Sequence, residues 1–362
     1  MENETYKKSK VETRSPKKAI FFKLFNKIMK EKIATAKLET KVIKSMKNYL
    51  EEDGFFEIFP PKIVRASGAC ENIDTLFEVG VNGNLYWFNP KNPHRAYLSQ
   101  TAQLYLEALT PYLKKVYSVG PSFRAEEGND NRHLTEFTML EIEFLGDFKQ
   151  LLNCVEMTIY RAIKDILSLS KEEKQEVGFE EKDIERLKKI RVPFPRTTYQ
   201  KAIEILGLSF GSDISSKDEQ KLLGQFGNQP LFITHFPNPL YDFGKEIEVE
   251  KFFNMMPDPS DRKRVLSADL ILPFGGEAIG AAQRVHRLEE LRWRLKNSKM
   301  FERLKNKGGS LSDFDWYFQK IKEKSVLHSG CGFGIGRILK FLKGEEDIKK
   351  VITFPLNQVG II

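Results

Sequence analysis

The segment 123–143, FRAEEGNDNRHLTEFTMLEIE, constrains the fold more than any other stretch of this 362-residue chain. Two β-prone runs, Phe123 to Glu126 and Glu136 to Glu143, flank a polar loop rich in Gly, Asn and Asp. That pattern predicts two antiparallel strands joined by a mobile loop. Arg124, Arg132 and His133 then point into one space with Glu126, Glu136, Glu141 and Glu143. Arginine grips phosphate oxygens bidentately and carboxylates hold magnesium, so the set suits a polyphosphate–metal complex. By spacing alone it suits equally a surface hairpin whose charges pair with one another.

Two further segments carry chemistry. Gly330-Cys331-Gly332-Phe333-Gly334-Ile335-Gly336-Arg337 is glycine-rich and opens a helix from Arg337 to Leu342; its alternate glycines let another body approach the backbone closely, and the helix offers its N-terminus to an anion. It sits near the C-terminus with no GK[ST] after it, which excludes a P-loop and argues against a dinucleotide fold. The block from Asp269 to Arg284 predicts a strand, a glycine turn, and Asp269, Glu277 and Arg284 close by. It reads as a magnesium site beside a carboxylate-binding arginine, or as a capped turn with a salt bridge.

Elsewhere, Leu38, Val42, Met46 and Leu50 recur at helical steps up to a stop at Asp53-Gly54. Short strands are expected near 231–236 and 266–272, a helix over Gln100 to Leu109, and a long charged helix over roughly 284–304. The charge-rich 171–189 reads as an exposed helical or mobile insertion. Strands and helices mix without regular βαβ alternation, which makes the fold class α+β. No apolar run approaches the roughly 20 residues of a membrane span, and no secretory signal is seen. Cys70, Cys154 and Cys331 lie far apart, which fits a reducing cytoplasm and excludes a zinc ribbon.

The net charge is +8, and residues 1–32 carry ten basic against four acidic side chains, +6 of that total. They form a basic N-terminal arm ahead of a domain spanning 33–362. The arm suits a phosphate backbone, or simply a solvated tail. Its apolar Ile20, Phe21, Leu24, Phe25, Ile28 and Met29 have helix-like spacing, so part of it docks.

Taken in order, the segments resemble the class II aminoacyl-tRNA synthetases of the aspartyl/asparaginyl subgroup over nearly all of 33–355. GFFEIFPP (54–61) looks like the family's motif 1, FRAEEGNDNRHLTEFTMLEIE its motif 2, and HSGCGFGIGR (328–337) its motif 3. YLSQTAQLYLEAL, PFPRTTYQKAIEIL and the Asp269–Arg284 block match between them. The resemblance implies an antiparallel sheet flanked by helices, and ATP-dependent formation of an aminoacyl-adenylate with Mg2+. It implies that Arg124 holds the α-phosphate and the substrate carboxylate, and that Glu126 meets adenine or an acceptor's terminal adenosine. Arg132 and His133 are implied to reach the outer phosphates, and Phe137 and Arg337 to sandwich the adenine. Asp269 and Glu277 are implied to hold magnesium. Arg284, with Gln103 and Glu141 beside it, is implied to meet the substrate side chain.

Aspartate-type relatives carry a lysine where Leu106 stands and favour Asp at the Glu141 position and Ser at the Gly280 position. Asparagine is therefore favoured over aspartate as substrate. The chain departs from the family at Gly336, where an acid is usual, and at Leu356, where Arg is usual after Phe-Pro. Only about 32 residues precede the core, fewer than the anticodon-binding OB-fold needs. Three activities stay open: asparaginyl transfer to tRNA through the arm or to another acceptor, an ammonia-using asparagine synthetase acting through aspartyl-adenylate, and a non-catalytic binding paralogue. Motif 1 implies a homodimer.

Overall fold

The computed structural model describes residues 16–68, 71–88, 94–127 and 130–360, with side chains described from residue 25 onward. The arm up to Ser15, Cys70, and the side chains of Ile20, Phe21 and Leu24 lie outside those residues.

The strands are β1 (Phe56–Glu57), β2 (Ile63–Val64), β3 (Glu78–Val79), β4 (Ala96–Leu98), β5 (Lys115–Phe123) and β6 (Glu136–Phe144). The second half adds β7 (Arg196–Thr198), β8 (Leu231–Thr234), β9 (Ser267–Leu272), β10 (Gly276–Gln283) and β11 (Ser329–Gly334). Eight of them form one sheet in the order β1-β5-β6-β11-β10-β9-β8-β7, parallel only at its two outer pairs, and β2-β4-β3 form a small second sheet. This is the expected α+β arrangement. The antiparallel pair expected around 123–143 exists, but its first strand lies earlier than expected: β5 and β6 pair from Lys115↔Phe144 to Phe123↔Glu136, and 124–126 fall beyond the strand.

Helices lie on both faces of the large sheet. They are α1 (Pro16–Glu52), α2 (Gln103–Leu113), α3 (Phe148–Ser168), α4 (Lys171–Glu176), α5 (Glu181–Lys188), α6 (Tyr199–Leu206) and α7 (Ser216–Gln225). After β10 come α8 (Leu288–Lys296), α9 (Lys299–Asn306), α10 (Asp315–Glu323) and α11 (Ile335–Lys343). Leu38, Val42, Met46 and Leu50 form the buried stripe of α1, packed with α3, α11 and the inner face of β6 in the main core. Gly54 at φ +85° then turns the chain out of α1. Among the described residues no helix is long and apolar enough to cross a membrane.

Three expectations are corrected. First, α1 runs unbroken through residue 32, so no structural boundary falls between an arm and the domain there. Second, the 171–189 insertion docks. Capping boxes at Ser170 and Glu180 start α4 and α5, while Val177, Phe179, Ile184 and Leu187 sink into the main core. Its charge density hid those few apolar anchors. Third, the long helix over 284–304 is two helices, because Ser298 accepts from the Phe301 amide and starts α9 afresh.

Candidate active site

Side chains alternate along β6. Leu140, Ile142 and Phe144 join the core, while Phe137, Met139, Glu141 and Glu143 line a cavity of about 600 Å³ on the other side. Neighbouring β11 sets Gly334, Gly332 and Gly330 in register with Met139, Glu141 and Glu143. A Cβ on Gly332 would stand 2.6 Å from the Met139 methyl, and one on Gly334 3.3 Å from the Ala278 carbonyl. On Gly330 it would overlap the Glu143 carboxyl group. The glycine-rich run is a strand, and its alternate glycines allow the close approach expected of them. Alternate absence of side chains makes it the cavity floor.

The arginines enter from two ends of the chain. Arg124 follows β5, and its amide bonds the Thr135 carbonyl at 2.9 Å, closing the hairpin loop. Its guanidinium lies 5.5 Å from the Phe137 ring centroid and 2.6 Å from the Glu71 carboxylate, while its buried Nε has no partner. Arg337 projects from the first turn of α11 and donates to the Glu277 carbonyl. Burial lowers the Arg337 pKa, Glu277 opposes that, and the nearby charges of Arg132 and Arg124 lower it further. An anion between these guanidinium groups would relieve their mutual repulsion. On the loop, Asp130 accepts from the amides of Arg132 and His133 at 2.8 Å and from His133 Nδ1 at 2.6 Å. Those bonds overcome burial and hold Asp130 down at about 2.

Carboxylates gather on the adjoining strands. Asp269 on β9 and Glu277 on β10 both line the cavity, and Glu219 of α7 bonds the Glu277 amide at 3.2 Å and Arg132 at 3.2 Å. Asp269 is not free: both of its oxygens accept from Lys251 Nζ, at 2.8 and 2.5 Å. Burial raises Asp269 to about 7, with Lys251 pulling it down and Glu277 pushing it up. Lys251 itself is raised, because Asp269 and Glu277 outweigh its burial. The 2.5 Å contact and the raised lysine favour an ionised pair. Among the described residues no cluster of three or more His, Cys, Asp or Glu has metal-ligating geometry. Magnesium needs no such cage when phosphates supply most of its ligands, so Glu277 and Asp269 fit that looser role.

Deeper in, Glu141 accepts from the Thr101 hydroxyl and, at 2.8 Å, from the Ala102 amide, and burial pushes it up to about 7. Arg284, just past β10, donates twice to one oxygen of Glu143, at 3.0 and 2.7 Å, leaving Glu143 Oε2 buried and unpartnered. Gln103 opens α2 beside them. Leu106 is sealed against Ala102, Val116 and Ile58.

All eleven residues singled out from the sequence as site residues line this one cavity, Glu126 among them. Glu136 does not. It is exposed at the start of β6, bridged to Leu356. Glu71, Glu219, Lys251 and Glu107 were missed. Each is a lone charge in an ordinary helical or loop context, and only the fold brings it to the site.

The family model described as class II tRNA synthetases (D, K and N) matches residues 13–358. The asparagine--tRNA ligase of Pyrococcus abyssi is 34% identical over 335 residues, 91% of this chain and 69% of that protein. That of Pyrococcus furiosus is 35% identical over 89% of this chain and 68% of its own length. The crystal structure of asparaginyl-tRNA synthetase from Pyrococcus horikoshii complexed with asparaginyl-adenylate superposes with a TM-score of 0.75 at 31% identity, covering 91% of this chain and 70% of that one. The aspartyl-tRNA synthetase from Entamoeba histolytica gives 0.67 at 26% identity, over 91% and 59%.

Proposed function

Since the chain belongs to the class II tRNA synthetases of the aspartate, lysine and asparagine group, we propose that it is a ligase activating asparagine with ATP as asparaginyl-adenylate and passing it to tRNA. The observation carrying this reading is the convergence of Arg124 and Arg337, from opposite ends of the domain, on one cavity floored by β11.

In the first step an oxygen of the asparagine α-carboxylate bonds to the α-phosphorus of ATP, the α–β phosphoanhydride bond breaks, and pyrophosphate leaves with its electron pair. In the second a ribose hydroxyl of the tRNA terminus attacks the adenylate carbonyl and AMP departs. No protein nucleophile is needed, so the chain works by positioning and charge. Arg124, with Nε unpartnered, takes the α-phosphate and the substrate carboxylate on giving up Glu71. Phe137 stacks the adenine against Arg337. Arg132 and His133, oriented by Asp130, meet the outer phosphates, and Glu126 stands at the adenosine end. Glu277, together with Asp269 once Lys251 turns to a phosphate, would hold Mg2+, which neutralises phosphate charge.

Glu141 accepts from the substrate's carboxamide and Arg284 donates to its oxygen. Leu106 stands where aspartate-type relatives carry the lysine that neutralises a second carboxylate. Two further elements belong to the proposal. Phe56 and Phe59, 57% and 82% exposed beside the β1 edge, are buried by a second copy in a two-fold homodimer, which light scattering tests. The basic N-terminal residues 1–32 follow the tRNA backbone, so tRNA binding weakens steeply with salt and is lost on deleting 1–32. The buried thiols Cys154 and Cys331 are free, as suits the cytoplasm.

ATP–pyrophosphate exchange tests the reading. Asparagine drives exchange and aspartate does not, and tRNA then accepts the asparaginyl group. Exchange driven by aspartate with ammonia-dependent AMP release would replace it with asparagine synthesis, and no exchange with any amino acid would leave a binding paralogue.

A further inference from the structure

We infer that Arg186, in the docked insertion 171–189, is a positioning residue for the nucleotide end of the cavity: it ties the turn between β9 and β10 to the last turn of α11 and so fixes Glu277 against Arg337. The inference rests on the adenylation reading above and adds to it a side chain that does not touch substrate.

Arg186 lies on α5 and takes no part in lining the cavity. Its guanidinium carbon stands 5.2 Å from the Phe274 ring centroid and 5.6 Å from that of Phe341. Nη2 donates to the Leu342 carbonyl at 2.9 Å, where a cation also suits the C-terminal end of the α11 dipole. Asp183 is 4.0 Å away, at the limit of an ion pair, and Nη1 is buried with no hydrogen-bond partner. Burial lowers the Arg186 pKa and Asp183 opposes that only in part, yet a guanidinium stays charged. Two aromatic faces and a helix end are what hold this charge.

The turn that meets Arg186, residues 273–275, is itself constrained. Phe274 has φ +65°, a left-handed backbone that a bulky residue keeps only where its surroundings impose it. A Cβ on Gly275 would stand 2.6 Å from the Arg337 carbonyl. One on Gly276 would stand 2.8 Å from both Arg132 Nη2 and Glu219 Oε2. Glu277 follows, and its carbonyl accepts from Arg337. The turn therefore carries Glu277 and abuts Arg337 and Arg132. On α11, Arg337 and Phe341 are four residues apart and share a face. Arg186 grips turn and helix together from outside the cavity. Without that grip the two part, and Glu277, Arg337 and Arg132 lose their common setting around the polyphosphate.

The test uses the full chain, with ATP affinity read by titration calorimetry in magnesium and the asparagine KM by ATP–pyrophosphate exchange. Arg186→Met keeps an apolar stem and removes the charge. It is expected to weaken ATP binding about tenfold and leave the asparagine KM within about twofold. Arg186→Lys, which still offers a cation to the rings and a donor to the carbonyl, is expected to recover most of that loss. Phe274→Leu is expected to match Arg186→Met, and the double variant to be no worse than either, because both cut one contact. A lower melting temperature with ATP affinity unmoved is what a merely structural residue gives, and it overturns the inference. An equal rise in the asparagine KM, or additive losses in the double variant, overturns it too. Should Arg186→Met fail to fold, Phe274→Leu decides: weakened ATP binding supports the inference, and unmoved binding overturns it. A wild type that binds ATP yet exchanges with no amino acid fells the adenylation reading and leaves the ATP comparison to judge this one. A wild type that binds no ATP fells both, and an exchanging wild type whose variants bind ATP equally well fells this inference alone.

Discussion

Gly330 lies directly across from Glu143 in the β6–β11 pair, and the carboxyl group of one occupies the space where a side chain on the other would stand. Arg284 clasps that carboxyl group, so a hydrogen atom in place of a methyl is what lets the deepest ion pair of the site form.

Gly330→Ala is therefore expected to cost on the order of 1–3 kcal/mol by overpacking, because the atoms it meets include the Ile142 backbone carbonyl, which cannot step aside. Gly332→Ala meets only the flexible end of Met139 and is expected to cost less than about 1 kcal/mol. Urea unfolding of the two variants reads the difference. Asparagine-dependent exchange is lost in the first and reduced in the second.

Removing Lys251 leaves Asp269 buried beside Glu277 and Glu219 without its counter-charge. Lys251→Met is expected to lose on the order of 3 kcal/mol of stability. Millimolar magnesium, which offers the same acids another cation, is expected to raise its melting temperature more than that of the wild type. Equal shifts in both proteins would mean that the metal does not meet this cluster.

Glu141 gives the stability a pH dependence whose sign is fixed. Its pKa in the folded protein, about 7, exceeds the ordinary 4.5, so the folded state holds the proton more tightly than the unfolded chain. Its contribution is complete below pH 4.5 and is lost as pH rises through 7. Glu141→Gln removes that slope, and relative to wild type it is expected to gain on the order of 1–3 kcal/mol at pH 8 over pH 4.5 in the ligand-free protein. Asparagine, which needs the ionised acceptor, is expected to bind wild type more tightly over the same rise.

Phe137→Leu keeps an apolar side chain and removes the stacking face under the Arg124 guanidinium. The ATP KM is expected to rise by about tenfold, on the order of 1–1.5 kcal/mol of stacking, with the asparagine KM little changed. A rise in the asparagine KM alone would move Phe137 to the other end of the cavity.

Much of this was legible in the chain. The period-two run from Phe137 to Glu143 marks both a strand and the face that carries the acids, and the α1 stripe from Leu38 to Leu50 needed only helical spacing. The run from Gly330 to Gly336 showed its close approach and the helix after it, but not that it is a strand. Its role as a floor follows from register with Glu143, which is set by pairing across roughly two hundred residues of intervening chain. Lys251 and Glu107 were illegible for the same reason. A single charged residue carries no periodicity, and its importance lies wholly in what the fold sets against it. In 171–189 the few residues that dock, Ile184 and Leu187 among them, were outnumbered by solvated charge.

Titration calorimetry with the non-hydrolysable sulfamoyl analogues of asparaginyl- and aspartyl-adenylate tests the central claim most directly. The asparaginyl analogue is expected to bind one site per chain, at least about tenfold tighter than the aspartyl one, with binding lost in both Arg124→Ala and Arg337→Ala. Binding that survives either substitution, or a preference for the aspartyl analogue, would contradict the account.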